Sequence, residues 1–320
     1  MKTKFYRRGK RAFSLVEVMV AMIILALIVT MLATVISRAS QLWIFAEAQN
    51  QRRSTGRALL QFIARDLEMT IIPVSYPAVN SSGANLQFVT SSTNAIDSSI
   101  LNPHAVFFQA PVASNRSRGD LAEIGYFVRW DTQSQPGTAK AQLCRFEVDP
   151  SDIQNNKIDA KNADGTPANW LDASTIDQVA PSTAAENYRG WFADNVIALW
   201  IRCLDNQGKP ILKTASGTTL NGGYGFDSRQ GYLSPSSGAA QYAPALPASV
   251  EIVLIAVDAN TAKRIKSPIV ATPGSPENFD KDQSTVGSLA HFVATLPDSV
   301  KPGVQVFSTR VYLKNSQRTP

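Results

Sequence analysis

Side chains that could catalyse a reaction are sparse in this sequence. The 320 residues include two histidines, His104 and His291, and neither belongs to an H-E-x-x-H pattern. The nucleophile motif G-x-S-x-G, the Walker loop and G-x-G-x-x-G are absent as well. We therefore expect core or solvated histidines and no enzymatic activity.

Both cysteines of the chain, Cys144 and Cys203, fall on the inferred core faces of predicted strands. Two alternatives are open for them. They could form a disulfide, which persists outside the cytoplasm, or they could remain two buried thiols. A metal site made of two cysteines without a nearby histidine is not expected.

One polar loop, "DAKNADGTP", contains three potential calcium ligands: Asp159, Asn162 and Asp164. However, Lys161 and Ala163 occupy ligand positions of the D-x-[DN]-x-[DN]-G pattern. A turn is favoured there, and the same interpretation applies to Asp280 and Asp282. The sequence predicts no metal and no other cofactor.

The net charge of +6 belongs to the N-terminal tail. Six basic residues and no acid occur in the first twelve positions: Lys2, Lys4, Arg7, Arg8, Lys10 and Arg11. The remainder has 25 bases (31 minus 6) and 25 acids, so it gives no argument for nucleic acid as a partner.

An uncharged apolar segment follows this tail and has one carboxylate, Glu17, at its edge. Residues 18–37 carry no charge, and twenty helical residues at ~1.5 Å each span the ~30 Å hydrocarbon core of a bilayer. The basic residues before the segment place the N-terminus in the cytoplasm. A cleaved secretory signal, a plain signal anchor and a third alternative based on Glu17 compete for this segment.

The residues "RAFSLVE" resemble the leader of type IV prepilins and type II secretion pseudopilins. The resemblance implies that a prepilin peptidase cuts between Ala12 and Phe13 and that the new N-terminus, Phe13, is methylated. The family usually has glycine where this chain has Ala12. Glu17 then becomes the fifth residue of the mature chain, where the family's glutamate pairs with the N-terminal amine of a neighbouring subunit and sets the assembly register. Opposite charges in such a pair offset the cost of each in the membrane.

The predicted fold is α+β and pilin-like, with one long helix packed on an antiparallel sheet that carries long loop insertions. Residues 13–70 form the helix, since no proline precedes Pro73 and Leu59, Leu60, Ile63 and Leu67 recur at helical spacing. Gly56 is expected to loosen it.

Alternating patterns predict half-buried strands, each with its core face on one set of residues. The three sets are Ile124, Tyr126, Val128 and Trp130; Cys144, Phe146 and Val148; and Ile197, Leu199, Ile201 and Cys203. "SVEIVLIAV" is apolar on both faces, as a central strand is, and "VQVFSTRVYL" is a further strand. Polar insertions are expected over residues 75–103, 131–190, 207–247 and 267–287.

The order of the body segments resembles J-type minor pseudopilins. The segments are "LQFIARDLE", "IGYFVRW" followed by "LCRFEV", "FADNVIALWIRCLDNQGK" and "LPASVEIVLIAV". The C protein of the Verru_Chthon cassette is a closer resemblance within this group. The resemblance implies four regions: a leader (1–12), a transmembrane half-helix (13–37), an amphipathic half-helix (38–72) and an extracytoplasmic β-rich domain (73–320).

Two classes of function follow. In the first, the chain is a structural subunit in the tip or initiation complex of a pseudopilus or type IV pilus. Its partners are then prepilin peptidase, other minor and major pseudopilins, inner-membrane lipid and the assembly platform. The chain crosses the inner membrane once, and its C-terminal domain is periplasmic. In the second, it is a membrane-anchored extracytoplasmic protein whose loops bind a polymer or a secreted substrate.

Overall fold

The computed structural model describes residues 14–72, 87–91, 102–132, 137, 139–158, 160, 162–163, 170–171, 173–179 and 190–317. Four α-helices occur in these ranges: α1 (Leu15–Glu68), α2 (Ala173–Val179), α3 (Ala259–Ala262) and α4 (Leu289–Thr295). The described chain divides into two compact units between Thr55 and Gly56, within α1.

Helix α1 confirms the predicted helix within two residues at each end. Up to Thr55 it forms the first unit, in which the apolar side chains from Leu15 to Ile36 are exposed. Its remaining residues, 56–68, belong to the second unit and pack into the core of the β-rich body.

Two antiparallel sheets build the second unit. The strands of the first sheet, in the order in which they pair, are β1 (Val89–Ser91), β2 (Ala105–Ala110), β3 (Ala122–Asp131), β4 (Lys140–Val148) and β5 (Trp191–Asp194). The second sheet has the order β10 (Val304–Tyr312), β9 (Ser249–Val257), β6 (Val196–Leu204). A small ribbon pairs β7 (Tyr232–Leu233) with β8 (Ala240–Gln241). This is the predicted α+β, pilin-like layout.

The main core lies where α1 packs on both sheets. Leu60, Ile63 and Leu67 of α1 are buried in one cluster with residues of β3, β6 and β9, and Leu59 packs against that cluster. The helical spacing read from the sequence is therefore the spacing of the buried face. Strand β9 lies between β10 and β6, which confirms its prediction as a central strand.

Strands β3 and β6 are buried on both faces, with nine of the ten residues of β3 and all nine of β6 buried, so the prediction of half-buried strands was wrong for these two. A register shift between Val196 and Ala198 turns Ile197 away from Leu199, Ile201 and Cys203. Ile197 packs instead in a second cluster that includes Trp200, Phe279 and Phe292. A bulge of this kind changes which face the flanking residues occupy, and alternation in one strand does not reveal it.

Two other predicted sets differ in their surroundings. Ile124, Tyr126 and Val128 lie in the main core, whereas Trp130 packs against the second cluster. The set of Cys144, Phe146 and Val148 is buried together, but in a third cluster covered by residues 170–171 and α2. The opposite face of β4 contributes Leu143 to the main core.

Gly56 permits close packing and is buried in the second unit. A Cβ atom at this position would lie 2.4 Å from Cζ of Phe307, whose ring covers the helix here. The prediction that Gly56 loosens α1 missed this contact, because the partner is 251 positions away in the sequence.

The described insertion over residues 207–247 is a folded loop region. Its Leu220, Tyr224 and Phe226 are buried. At its start, Asp205 Oδ1 accepts the N–H groups of Gln207 and Lys209, at 3.0 and 2.9 Å. These bonds close the turn before the insertion, and hydrogen bonds from Ser234 and Ser236 to Oδ2 tie its far end to the same carboxylate.

Candidate functional site

The first turn of α1 forms a reciprocal cap between Ser14 and Glu17. Ser14 Oγ accepts the Glu17 N–H at 3.2 Å, and Glu17 Oε2 accepts the Ser14 N–H at 3.4 Å. This is a capping box, which satisfies two backbone donors that an α-helix leaves without partners at its N-terminus. This role of Glu17 was not predicted, although "SLVE" matches the S-x-x-E signature.

The predicted cleavage site lies next to this cap. Ala12 and Phe13 are outside the described residues, so the prediction that the chain is cut between them stays a prediction. The carboxylate of Glu17 is exposed in the first turn, where a negative charge also interacts favourably with the helix dipole. Its Oε1 accepts no hydrogen bond from a described residue.

The helix after the cap is apolar on all sides. Leu15–Gln41 is long and apolar enough to cross a membrane by length and composition, and none of it is buried inside the structure. Its hydroxyl groups are satisfied within the helix: Thr30 donates to the Ala26 carbonyl at 2.5 Å and Thr34 to the Met31 carbonyl at 2.7 Å. A bilayer would therefore meet no unpaired hydroxyl at these two positions.

A partly buried ionic cluster fixes the last turns of α1 to the first sheet. Tyr126 Oη donates to Asp66 Oδ2 at 2.6 Å, and Arg145 Nη2 donates to the same oxygen at 2.9 Å. Glu147 pairs with the other side of the Arg145 guanidinium, which also lies over the ring of Phe62 at 5.2 Å. We call Asp66, Tyr126, Arg145 and Glu147 the helix anchor.

Electrostatics in the helix anchor follow from burial. Burial, and then the nearby Asp66 carboxylate, raise the pKa of Tyr126, so its phenol remains a donor. The anchor joins the last turns of α1, within the second unit, to β3 and β4, and it holds them in place because a charged group with several directional hydrogen bonds has few alternative positions. One residue could have indicated the helix anchor from the sequence. Asp66 is an acid three positions after Ile63, so it lies on the apolar side of the helix, where a charged residue needs a partner.

The structure makes His104 a core residue. Its Nδ1 accepts the Ile201 N–H at 2.9 Å, and its ring lies 4.2 Å from that of Tyr224. Burial lowers the pKa of His104 to about 3. The ring is thus neutral and replaces a backbone acceptor beside β6. His291, on α4, places Nδ1 2.9 Å from the carbonyl oxygen of Gln283.

The two cysteines are free, buried thiols. Cys144 belongs to the third cluster and Cys203 to the main core, so the structure has the second of the two alternatives and not the disulfide. Burial raises the pKa of Cys144 to about 11 and that of Cys203 to about 12. Both groups are therefore protonated, inert components of the core at neutral pH.

Within the described ranges, no three histidine, cysteine or acidic side chains are grouped so that they could hold a metal ion. Asp159 and Asp164 of the predicted turn lie outside those ranges. Asp280 pairs with Arg202, and Asp282 accepts hydrogen bonds from Ser284 and Thr285.

The comparisons with known proteins concern the N-terminal region just described. Residues 7–33 match the prokaryotic N-terminal methylation motif. The match includes Ala12, Phe13, Glu17 and the first turns of the apolar part of α1. It supports a prepilin-like protein that prepilin peptidase processes and that assembles with other pilins. No curated protein and no solved structure matches the chain.

Proposed function

We propose that this chain is a minor pseudopilin-like structural subunit, assembled through its N-terminal helix into the tip or initiation complex of a type II secretion pseudopilus or a type IV pilus. The observation that carries the proposal is the coincidence of three features: the methylation motif at residues 7–33, a capped helix start at Ser14, and an exposed apolar helix over Leu15–Gln41. A structural role also accounts for a chain without a recognisable catalytic motif.

In this proposal the peptidase removes residues 1–12 on the cytoplasmic side, and Phe13 becomes the methylated N-terminus. The helix then anchors the subunit in the inner membrane, with residues 13–37 in the bilayer, residues 38–72 as the amphipathic half and residues 73–320 in the periplasm. The basic tail is the reason for this orientation. Sister pseudopilins, inner-membrane lipid and the assembly platform are the proposed partners.

The bulk of the body favours a tip position. The described body has two sheets and a folded insertion over residues 207–247, which is more than a repeating shaft subunit needs for helix packing. The order of the body segments supports a J-type subunit, and within that group a relationship to the C protein of the Verru_Chthon cassette.

Glu17 has two compatible roles in this proposal. One oxygen completes the capping box, and Oε1 is available to the N-terminal amine of a neighbouring Phe13. The cap restricts the side chain before assembly, so less conformational entropy is lost when the intermolecular pair forms.

Co-expression with a prepilin peptidase tests the proposal. We expect the full chain to lose twelve residues and to yield a product whose first residue is methylated Phe13, as seen by intact-mass and peptide mass spectrometry. Ala12→Gly is the matched control and should be cut at least as efficiently, whereas Ala12→Lys should remain whole. An uncut wild-type chain beside a cut known substrate would contradict the proposal and favour the membrane-anchored binding protein.

A further inference from the structure

Strand β10 has one open edge. It pairs with β9 over all nine of its residues in a continuous register, from Val304 opposite Val257 to Tyr312 opposite Ser249. No described strand pairs with its other side. The strand contains no proline, no lysine and no bulge, which commonly protect sheet edges from pairing, and its one charged residue, Arg310, lies 3.9 Å from Glu251 of β9.

Two hydrogen bonds beyond the strand ends identify the backbone groups on that edge. Asp258 N–H donates to the Gly303 carbonyl at 3.1 Å, and Leu313 N–H donates to the Ala248 carbonyl at 3.2 Å. Hydrogen-bonded pairs alternate along an antiparallel ladder, so the odd-numbered residues of β10 face β9. The N–H and C=O groups of the even-numbered residues from 306 to 312 therefore point outward, and within the described chain they have no hydrogen-bond partner.

The other sheet edges are short, irregular or covered. Strand β1 has three residues, and Thr90 N–H donates to the Phe226 carbonyl. Strand β5 has four residues and a register shift against β4. Beside β6, isolated bridges from Pro103 and Pro210 and the ring of His104 occupy the edge. The contrast with β10 indicates that its outer edge is suited to pairing with a strand that the described part of the chain does not supply.

The side chains of the even-numbered residues are complementary to a second copy of themselves. They lie on the exposed face, with Val306 45% and Tyr312 67% exposed. In an antiparallel pair of two β10 strands with Thr309 at the twofold axis, Val306 lies opposite Tyr312 of the second copy. Ser308 then lies opposite Arg310, so the two arginines do not lie directly opposite each other, and the two apolar side chains meet.

We propose that the outer edge of β10 pairs antiparallel with the same strand of a second copy, in the register centred on Thr309. Four outward residues from each strand supply about eight backbone hydrogen bonds in this arrangement. The pairing extends the three-stranded sheet into a six-stranded sheet across two chains. It is a contact of the body, separate from any helix packing, and it does not depend on cleavage of the leader.

The first test measures the self-association of the full chain in detergent micelles by analytical ultracentrifugation. Ser308→Pro removes an outward N–H group and leaves the ladder to β9 intact, whereas Ser308→Ala keeps that N–H. The change occurs twice in a symmetric dimer, so we expect Ser308→Pro to raise the dissociation constant by about 10- to 100-fold, with Ser308→Ala close to wild type. A monomeric wild type, or equal association of both variants, would overturn the proposal.

A second pair of variants covers the case in which Ser308→Pro fails to fold. Val306→Lys places a charge opposite Tyr312 of the second copy, while Val306→Thr keeps a β-branched side chain there. We expect the lysine variant to associate at least about tenfold more weakly than the threonine variant.

The register has its own test. When Ser308→Cys and Arg310→Cys chains are mixed, a short bis-maleimide should link residue 308 to residue 310 more efficiently than it links either variant to itself. Preferential linkage of 308 to 308 would refute the register. The peptidase assay is read separately, so failure of this proposal and failure of the proposed function are distinguishable.

Discussion

Removing Asp66 should uncouple α1 from the first sheet. In Asp66→Ala, Tyr126 loses the acceptor of its hydroxyl, and Arg145 loses the oxygen that accepts hydrogen bonds from its Nε and Nη2. Arg145 keeps its contact with Glu147, so its charge is not left entirely without a partner. The perturbation is therefore smaller than the creation of an isolated buried charge.

The expected magnitude follows from that geometry. Breaking a buried ion pair by removing one partner costs about 3–5 kcal/mol, and the side chains here are 6% exposed for Asp66 and 13% for Arg145. Because Glu147 offsets part of the loss, we expect Asp66→Ala to lower the free energy of unfolding by about 2–3 kcal/mol. Adding Arg145→Met removes the stranded charge, and the double variant should be more stable than the sum of the single changes by at least about 1 kcal/mol.

Urea denaturation of the full chain in mild detergent, followed by tryptophan fluorescence, measures these differences. Asp298→Ala is the matched control, since Asp298 is an exposed acid paired with Lys301 at 2.9 Å, and we expect no measurable loss there. Strict additivity of Asp66→Ala and Arg145→Met would refute the reasoning. So would a loss in Asp66→Ala no larger than that in the control.

Three further outcomes are expected. Burial lowers the pKa of His104 to about 3 in the folded state, so between pH 3 and 6.5 the unfolded chain binds up to one more proton than the folded chain. The free energy of unfolding should therefore fall by up to about 1.4 kcal/mol per pH unit on acidification through this range. His104→Asn should lack this part of the pH profile, and parallel wild-type and variant profiles would be inconsistent with a buried neutral ring. Gly56→Ala should reduce stability by about 1–3 kcal/mol in the same urea assay through overlap with the Phe307 ring, and combining it with Phe307→Leu should restore part of the loss; a gain in Gly56→Ala alone would contradict the packing argument. Glu17→Gln keeps a capping side chain but removes the charge, so it should retain the helix start by hydrogen exchange and still reduce incorporation into filaments; incorporation equal to wild type would rule out the charge-pairing role.

The long helix and the positions of five strands, β3, β4, β6, β9 and β10, could be predicted from the sequence because they depend on local patterns, whereas β1, β2, β5, β7 and β8 were not predicted. Absence of proline and the spacing of Ile63 and Leu67 locate α1, and the run after Glu251 reveals a strand covered on both faces. The face occupied by Ile197 could not be predicted, since the bulge depends on how β6 meets β9.

The candidate site was predictable only in part, for a related reason. The leader motif and the apolar span are contiguous in the sequence, so composition and spacing suffice to find them. The helix anchor joins Asp66 to Arg145 across 79 positions, and no local pattern in either segment specifies that partner. The pattern "SLVE" predicts the role of Glu17 as a cap, whereas its position at the edge of the apolar segment indicates only charge pairing.

The capping box has a consequence for the proposed cleavage between Ala12 and Phe13. The four atoms that form it are the backbone nitrogen and Oγ of Ser14 and the backbone nitrogen and Oε2 of Glu17. All of them lie on the retained side of the Ala12 to Phe13 bond, and the Ser14 nitrogen remains an amide after hydrolysis of that bond. Cleavage at that bond would therefore leave the first turn of α1 intact, and the new amine would belong to the residue directly before the Ser14 cap.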